Sequence, residues 1–281
     1  MESNNLAQTL KSLHIPSQPL IFANVWDLAS LNMVLSLNSN ALRPVKAIAT
    51  ASWAFAASLG IKDEDLTMEQ NLASIRNIAA TVASAGLPLS VDLQDGYGSR
   101  LREAVTQAIQ AGAHGANIED SIPAHGLGEG VEHSLYPLSE QIRRLQLAVK
   151  AAADAGLPDF VINARCDIFA LEDAANLNHE TRMKEAVRRG KAYLDAGATT
   201  VFFWRGYGAG FTEADVQTLV KELDGHVAIR LGQTREALSV SQLAKLGVAR
   251  ISIGPSLFQI AMDAAKRSAL SVLEGGRLEE V

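Results

Sequence analysis

Between Ser90 and Gly98 the chain reads Ser-Val-Asp-Leu-Gln-Asp-Gly-Tyr-Gly, an apolar run that turns polar and then breaks at glycines. Side chains alternate along a strand, so Asp92 and Gln94 should share one face and Val91 and Leu93 the other, with Asp95 opposite Gln94. Two oxygen-bearing side chains at the end of a buried strand suit a hard cation such as Mg²⁺. The same alternation recurs twice: Asn117 and Glu119 against Ala116 and Ile118, then Asn163, Arg165 and Asp167 against Ile162 and Cys166. Farther along, Arg205 and Arg230 close two more apolar runs, and a planar guanidinium suits a distal carboxylate or phosphate. Acids that can hold a cation, and arginines that can hold an anion, are the means of binding a small carboxylate and stabilising charge that develops on it.

For these groups to meet, their strands must end at one place. Eight apolar runs rich in β-branched residues recur along the chain, at 20–27, 46–52, 88–95, 114–120, 159–167, 198–205, 226–231 and 248–254. Most follow a stretch closing on Ala85-Gly86, Ala111-Gly112, Ala155-Gly156, Ala196-Gly197 or Leu246-Gly247, and glycine just past a helix end is the usual left-handed cap. Helical spacing fills the intervals, as over 68–84 and 139–154, with further helix over 257–275 and a frayed tail at 276–281. Eight strand–helix alternations close naturally into a single (β/α)₈ barrel over 1–281. An open doubly wound sheet would want a phosphate-binding glycine fingerprint after its first strand, where Trp26-Asp27-Leu28-Ala29 stands instead. In a barrel, function gathers at the carboxyl ends of the strands. Those ends carry Asp27, Ser52, Asp92 with Gln94, Glu119, Arg165 with Asp167, Arg205, Arg230 and Ser252.

Bulk properties exclude several classes. The chain has 281 residues, 48% hydrophobic, with a net charge of −6, a balance that argues against nucleic acid as a partner. No apolar run approaches the roughly 20 residues that span a bilayer, and Met1-Glu2-Ser3-Asn4-Asn5 lacks the basic start and apolar core of a secretory signal. The one cysteine, Cys166, excludes an internal disulfide and a cysteine-rich metal site, and its alternation points it away from the barrel mouth. The expectation is a cytoplasmic enzyme without a membrane anchor.

At these residues the chain resembles the isocitrate lyase and phosphoenolpyruvate mutase superfamily. The resemblance runs from Asn24-Val25-Trp26-Asp27 to Arg250-Ile251-Ser252-Ile253-Gly254-Pro255. Between them come Ala49-Thr50-Ala51-Ser52, Ser58-Leu59-Gly60 with Asp63, the Asp92–Gly98 segment, Ile118-Glu119-Asp120 and Ile162–Asp167, in the family's order and spacing. It implies a (β/α)₈ barrel whose last helix often swaps between subunits, hence a dimer or tetramer. It also implies Mg²⁺, with Mn²⁺ as a substitute: Asp92 as the direct ligand, and Asp63, Gln94 and Glu119 holding metal-bound water. Ser52, Trp53 and Ala54 would form the loop that grips a substrate carboxylate, Asn163 would stand beside them, and Arg165 would support the enolate charge.

The chain also departs from the resemblance. The lyase branches carry a Lys-Cys-Gly-His loop after the fourth strand, and the mutase and phosphonopyruvate-hydrolase branches place lysine and asparagine there; Ser121–His133 has no lysine, cysteine or asparagine. The loop offers Gly126, Gly128 and Gly130, which suit a closing lid, and His125, the side chain whose pKa suits a loop acid or base. Gln94 stands where the family usually has a carboxylate. The reading is a Mg²⁺-dependent lyase that breaks a C–C bond of a small 2-oxo or 2-hydroxy acid through a pyruvate-type enolate, by decarboxylation of an oxaloacetate-like acid or retro-aldol cleavage of a 2-alkylmalate. The alternatives are C–P chemistry on phosphonopyruvate or a related phosphonate, and a barrel that has lost catalysis and acts as a binding protein.

Overall fold

Each apolar run contributes one strand, shorter than the run itself because the last residues peel away toward the mouth. The computed structural model describes residues 2–39, 41–172, 177–206 and 210–278. The strands are β1 (Leu20–Phe22), β2 (Ile48–Ala49), β3 (Leu89–Asp92), β4 (Gly115–Glu119), β5 (Val161–Cys166), β6 (Thr200–Phe203), β7 (Val227–Arg230) and β8 (Arg250–Ser252). All pair in parallel, in the order β1-β8-β7-β6-β5-β4-β3-β2. The remaining seam is joined above the strands, where Val25 bridges Thr50 and its N–H donates to Ala49 O at 2.8 Å. With helices alternating around it, this is a (β/α)₈ barrel.

In chain order the helices are α1 (Glu2–Ser12), α2 (Leu28–Ser36), α3 (Ser52–Ser58), α4 (Met68–Ser84), α5 (Leu101–Gln110), α6 (Val131–Ser134), α7 (Leu138–Asp154), α8 (His179–Asp195), α9 (Glu213–Glu222), α10 (Val240–Leu246) and α11 (Ser256–Leu273). Reciprocal capping boxes start four of them: Asp27 with Ser30, Thr67 with Gln70, Thr212 with Asp215, and Ser239 with Gln242. The five cap glycines of the sequence analysis all have positive φ. At Gly247 the requirement is double: φ is +102°, and a Cβ would stand 2.7 Å from Val220 Cγ1. No helix among the described residues is long and apolar enough to cross a membrane. Of the tail at 276–281, positions 279–281 lie outside the described residues.

Outward-facing strand residues such as Val91, Ile118, Ile162, Phe203, Ile229 and Ile251 fill the layer between sheet and helices. Barrel interiors are usually packed with bulky branched residues, but here the middle layer is polar. Asn117 Oδ1 accepts from Asn163 Nδ2 at 2.8 Å and from Arg250 Nη2 at 3.1 Å, while Thr200 Oγ1 donates to Asn163 Oδ1 at 2.6 Å. Arg250, fully buried, also donates to Ser90 Oγ and lies 4.4 Å over the Phe22 ring. Burial brings its pKa down to about 9. Beneath this belt Leu10 of α1 packs with Leu20, Phe22, Ala47, Ala49 and Val161, closing the amino-terminal end of the barrel. Nothing in the spacing of residues 2–12 marks α1 as a barrel plug.

Candidate active site

The polar belt is the floor of a cavity of about 280 Å³ at the carboxyl ends of the strands. Its walls divide by charge. Asp63, Asp92, Gln94 and Glu119 stand on the β2–β4 side, and Arg165 and Arg230 on the β5–β7 side, with Trp204 and Phe202 beside them. A volume of that size suits a ligand of a few carbon atoms.

Asp92 ends β3. Its Oδ2 accepts from the Ser52 N–H and Oγ, each at 3.1 Å, and its carbonyl accepts from Asn71 Nδ2 at 2.8 Å. The strand stops there, so the alternation argument for Gln94 fails. Gln94 instead has φ +53° and reaches the same cavity through a turn, where Nε2 donates to Asp63 O at 2.6 Å and Asp63 Oδ1 at 3.0 Å. The anchor of the turn is Asp95. Its carboxylate accepts from the Tyr97 N–H at 2.8 Å, the Gly98 N–H at 3.0 Å and Tyr136 Oη at 2.7 Å, with the Arg144 guanidinium behind it. That structural role for Asp95 had no signal in the sequence beyond its place before two glycines.

Across the cavity, Arg165 Nη1 lies 2.6 Å from Glu119 Oε2, and Arg165 Nε lies 2.6 Å from Asp167 Oδ1. Trp204 Nε1 donates to that same Asp167 oxygen, and the Arg165 guanidinium lies 4.9 Å from the Trp204 ring centre. Asp167 is held in turn by its N–H bond to Asp120, which also binds Arg189 and Tyr193. Burial lifts Glu119 above the ordinary carboxylate range; Arg165 pulls it back, and Asp167, Asp92 and Asp63 add to the upward push. Asp63 is pushed up to about 6, first by burial and then by the neighbouring Asp92. Asp167 and Glu119 keep Arg165 protonated although burial opposes its charge.

Among the described residues no three His, Cys, Asp or Glu side chains converge as a ready-made metal cage. Mg²⁺ does not need one, because it keeps several waters and takes few direct protein ligands. The side-chain oxygens of Asp92, Asp63, Gln94 and Glu119 gathered at one wall fit a hydrated hard cation.

Other candidates fall elsewhere. Ser52 and Trp53 line the cavity but belong to the first turn of α3 rather than to a loop. Ala54 stands behind them, its N–H already donating to Ala51 O at 3.1 Å. Asn163 lies one layer below, in the polar belt. Arg205 turns to the rim, 3.6 Å from Asp215 Oδ2 and 40% exposed. The loop after β4 folds over the cavity and lines it with Ile122, Pro123, Gly126 and Leu127. His125 is exposed at the end of the Pro123–His125 turn, and its Nδ1 lies 2.6 Å from His133 O. This arrangement gives the cavity no loop acid or base, because the turn that sends Pro123 inward sends His125 out. Asn24, Glu64, Asn117, Phe202, Trp204, Ser252 and Gly254 also line the cavity. The strand-end rule already placed Ser252 at the mouth and could have added Trp204, whereas Glu64 comes from a turn that no period marks. Cys166 faces the outer layer and is fully buried.

Comparison with known proteins supplies the family. A sequence model described as phosphoenolpyruvate phosphomutase matches residues 10–273. A 2-methylisocitrate lyase of Escherichia coli K12 is 35% identical over 151 residues, which cover 52% of this chain and 46% of that protein. An oxaloacetate decarboxylase of Rhodopseudomonas palustris BisA53 is 31% identical over 150 residues, 52% of this chain and 47% of its own. The chain therefore spans less than half the length of these two relatives. A crystal structure from Burkholderia cenocepacia J2315, provisionally assigned as a phosphonomutase, covers 98% of this chain and 100% of its own, with 32% identity and a TM-score of 0.80.

Proposed function

The chain belongs to the phosphoenolpyruvate phosphomutase family, and on that premise we propose that it is a divalent-metal-dependent lyase that breaks a C–C bond of a small 2-oxo or 2-hydroxy acid through a pyruvate-type enolate. The observation that carries this reading is the division of one small cavity into an acidic wall and an arginine wall at the strand ends. Asp92 is the direct ligand for Mg²⁺ or Mn²⁺, and Asp63, Gln94 and Glu119 hold its waters. When bound, the cation supplies the Lewis acidity that favours charge on a 2-oxo oxygen. Arg165, fixed by Glu119 and Asp167, stands as a preorganised cation toward the developing enolate and needs no reorganisation as the charge appears. Ser52 orients Asp92, and Trp53 bounds the carboxylate end of the cavity. The loop residues Ile122, Pro123 and Leu127 exclude water from above.

Loss of carbon dioxide from an oxaloacetate-like acid requires least of this site, because the departing group takes no proton. Retro-aldol cleavage of a 2-alkylmalate also fits: the 2-hydroxyl gives its proton to a bound water, the C2–C3 bond breaks to leave a 2-oxo acid, and the carbanion on the departing acetate unit takes a proton from that water. C–P cleavage is the second reading, favoured by the likeness to the phosphonomutase-assigned structure. The test is a panel of oxaloacetate, 2-alkylmalates, methylisocitrate and phosphonopyruvate with Mg²⁺, followed by NMR. Pyruvate from a C4 acid, lost on Asp92→Ala, is the expected result. Phosphate release would move the assignment to C–P chemistry, and silence across the panel would contradict both.

We also infer that the protein is a homo-oligomer. Only Ser256 of α11 is buried, whereas Ile260, Met262, Leu270, Val272 and Leu273 of that helix are 47–84% exposed. A helix that leaves this much apolar side chain exposed is covered by another subunit. A monomer in sedimentation equilibrium at micromolar concentration would contradict it.

A further inference from the structure

The floor of the cavity holds a buried cation that the metal-and-enolate chemistry does not use. Arg250 is fully buried in the polar belt, and among the described residues its Nε and Nη1 meet no acceptor. A buried guanidinium with donors unmet is a poor source of stability, because apolar side chains of similar volume often hold a core as well or better. What Arg250 does instead is set the direction of its neighbours.

Arginine donates hydrogen bonds and never accepts them. The Asn117 atom that faces Arg250 Nη2 at 3.1 Å must therefore be the amide oxygen. An oxygen there calls for a nitrogen from Asn163, whose Nδ2 stands 2.8 Å away, and leaves Asn163 Oδ1 to accept from Thr200 Oγ1 at 2.6 Å. The chain of bonds has one direction, and the cation imposes it: a flipped Asn117 would set N–H groups against N–H groups. Asn117 lines the cavity, so the amide nitrogen turned away from the belt is the one that a ligand meets. No described residue accepts from it. Asn117 is in register with Asp92 on one side and Asn163 on the other, which places it at the foot of the divide between the acidic and arginine walls. A water bound to a cation there has its lone pair committed to the metal and can only donate. An N–H group in that position suits an oxygen of the ligand instead.

We propose that Asn117 Nδ2 donates to the substrate oxygen on which enolate charge develops, and that Arg250 is the positioning residue that aims it. This deepens the function proposed above and rests on it for the identity of that oxygen. A donor fixed before the ligand arrives needs no reorganisation as the charge appears. The guanidinium below keeps the amide from turning its own oxygen toward an anion, which an unanchored asparagine could do.

Exchange of the side-chain amide protons with water, read by NMR on the full-length protein with isotope-labelled asparagine, tests the direction of the chain without any ligand. Asn117→Asp and Asn163→Asp identify the two signals. The Asn163 protons should be protected and the Asn117 protons should exchange freely; the reverse pattern, or equal protection, would overturn the proposal. Oxalate, which has the shape of a pyruvate enolate, should then protect the Asn117 protons in Mg²⁺. In titration calorimetry Arg250→Met should weaken oxalate about 10- to 100-fold, the range of a lost bond to a charged group, and Arg250→Lys should recover most of that loss. Thr200→Val releases Asn163 but leaves Arg250 in place, so it should leave oxalate binding unchanged. Oxalate bound by Arg250→Met as tightly as by the parent, an equal loss in Thr200→Val, or Asn117 protons that stay unprotected with oxalate bound would each overturn the proposal. If Arg250→Met does not fold, the exchange pattern of the parent still decides. Failure of oxalate to bind the parent in Mg²⁺ would instead strike the metal-and-enolate reading, since the ligand-free exchange still reports on Asn117.

Discussion

Gln94 gives the sharpest test of how charge is arranged on the acidic wall. Its carboxamide donates to both the carbonyl and the carboxylate of Asp63, at 2.6 and 3.0 Å. Gln94→Glu keeps the shape, removes both donors, and sets a second carboxylate against Asp63. At an effective dielectric near 20, two unit charges 3–4 Å apart repel by about 4–6 kcal/mol. The pair escapes part of that by sharing a proton, as adjacent carboxylates do. Adding the acceptors left unmet, a metal-free loss of about 2–4 kcal/mol in folding stability is expected. Mg²⁺ should narrow the difference between the two proteins. The added charge tightens the cation, and a ligand at 100 times its Kd stabilises the fold by about 2.7 kcal/mol. Urea unfolding with EDTA and with 10 mM MgCl₂, for both proteins, reads this directly. A variant as stable as the parent in EDTA, or one that gains no more than the parent from Mg²⁺, would refute the argument.

Asp95→Asn removes the partner of buried Arg144 and loosens the turn that delivers Gln94, so unfolding stability should fall by about 3 kcal/mol; an unchanged urea midpoint would contradict this. His14 is buried against Leu10 O, and burial, with the Arg250 cation adding to it, lowers its pKa to about 3. Between about pH 6.5 and 3 the unfolded chain therefore takes a proton that the fold refuses. Stability present above pH 6.5 is lost as pH falls, at about 1.4 kcal/mol per pH unit from this one group, and His14→Gln should flatten that slope in acid titrations of the unfolding free energy.

The barrel was legible because its signals are local and repeated: eight β-branched runs, five cap glycines and helical spacing between them. Helix α1 was not, since ESNNLAQTLKS carries few apolar residues and its value lies in what Leu10 plugs. Cavity-lining residues on regular strands were legible: Asp92, Glu119 and Arg165 from period-two alternation, Arg230 from its place at a strand end. Gln94 reached the cavity for a different reason than the one that predicted it, because a left-handed residue follows the end of β3. His125, Arg205 and Asn163 lie outside the cavity lining, because position along the chain does not fix depth or direction: a 3-10 turn, a rim ion pair and a layer in the barrel floor decide those three. Resemblance supplied the roles of the metal-side residues, which no spacing in a single chain contains.

The central claim is a divalent cation at Asp92 facing Arg165 across an enolate site. Oxalate has the shape and charge of a pyruvate enolate and does not depend on knowing the substrate. Calorimetric titration of oxalate should show binding in Mg²⁺, none in EDTA, and none in Mg²⁺ for Asp92→Asn. Equal oxalate binding with and without Mg²⁺, or by Asp92→Asn as tightly as by the parent protein, would contradict the account.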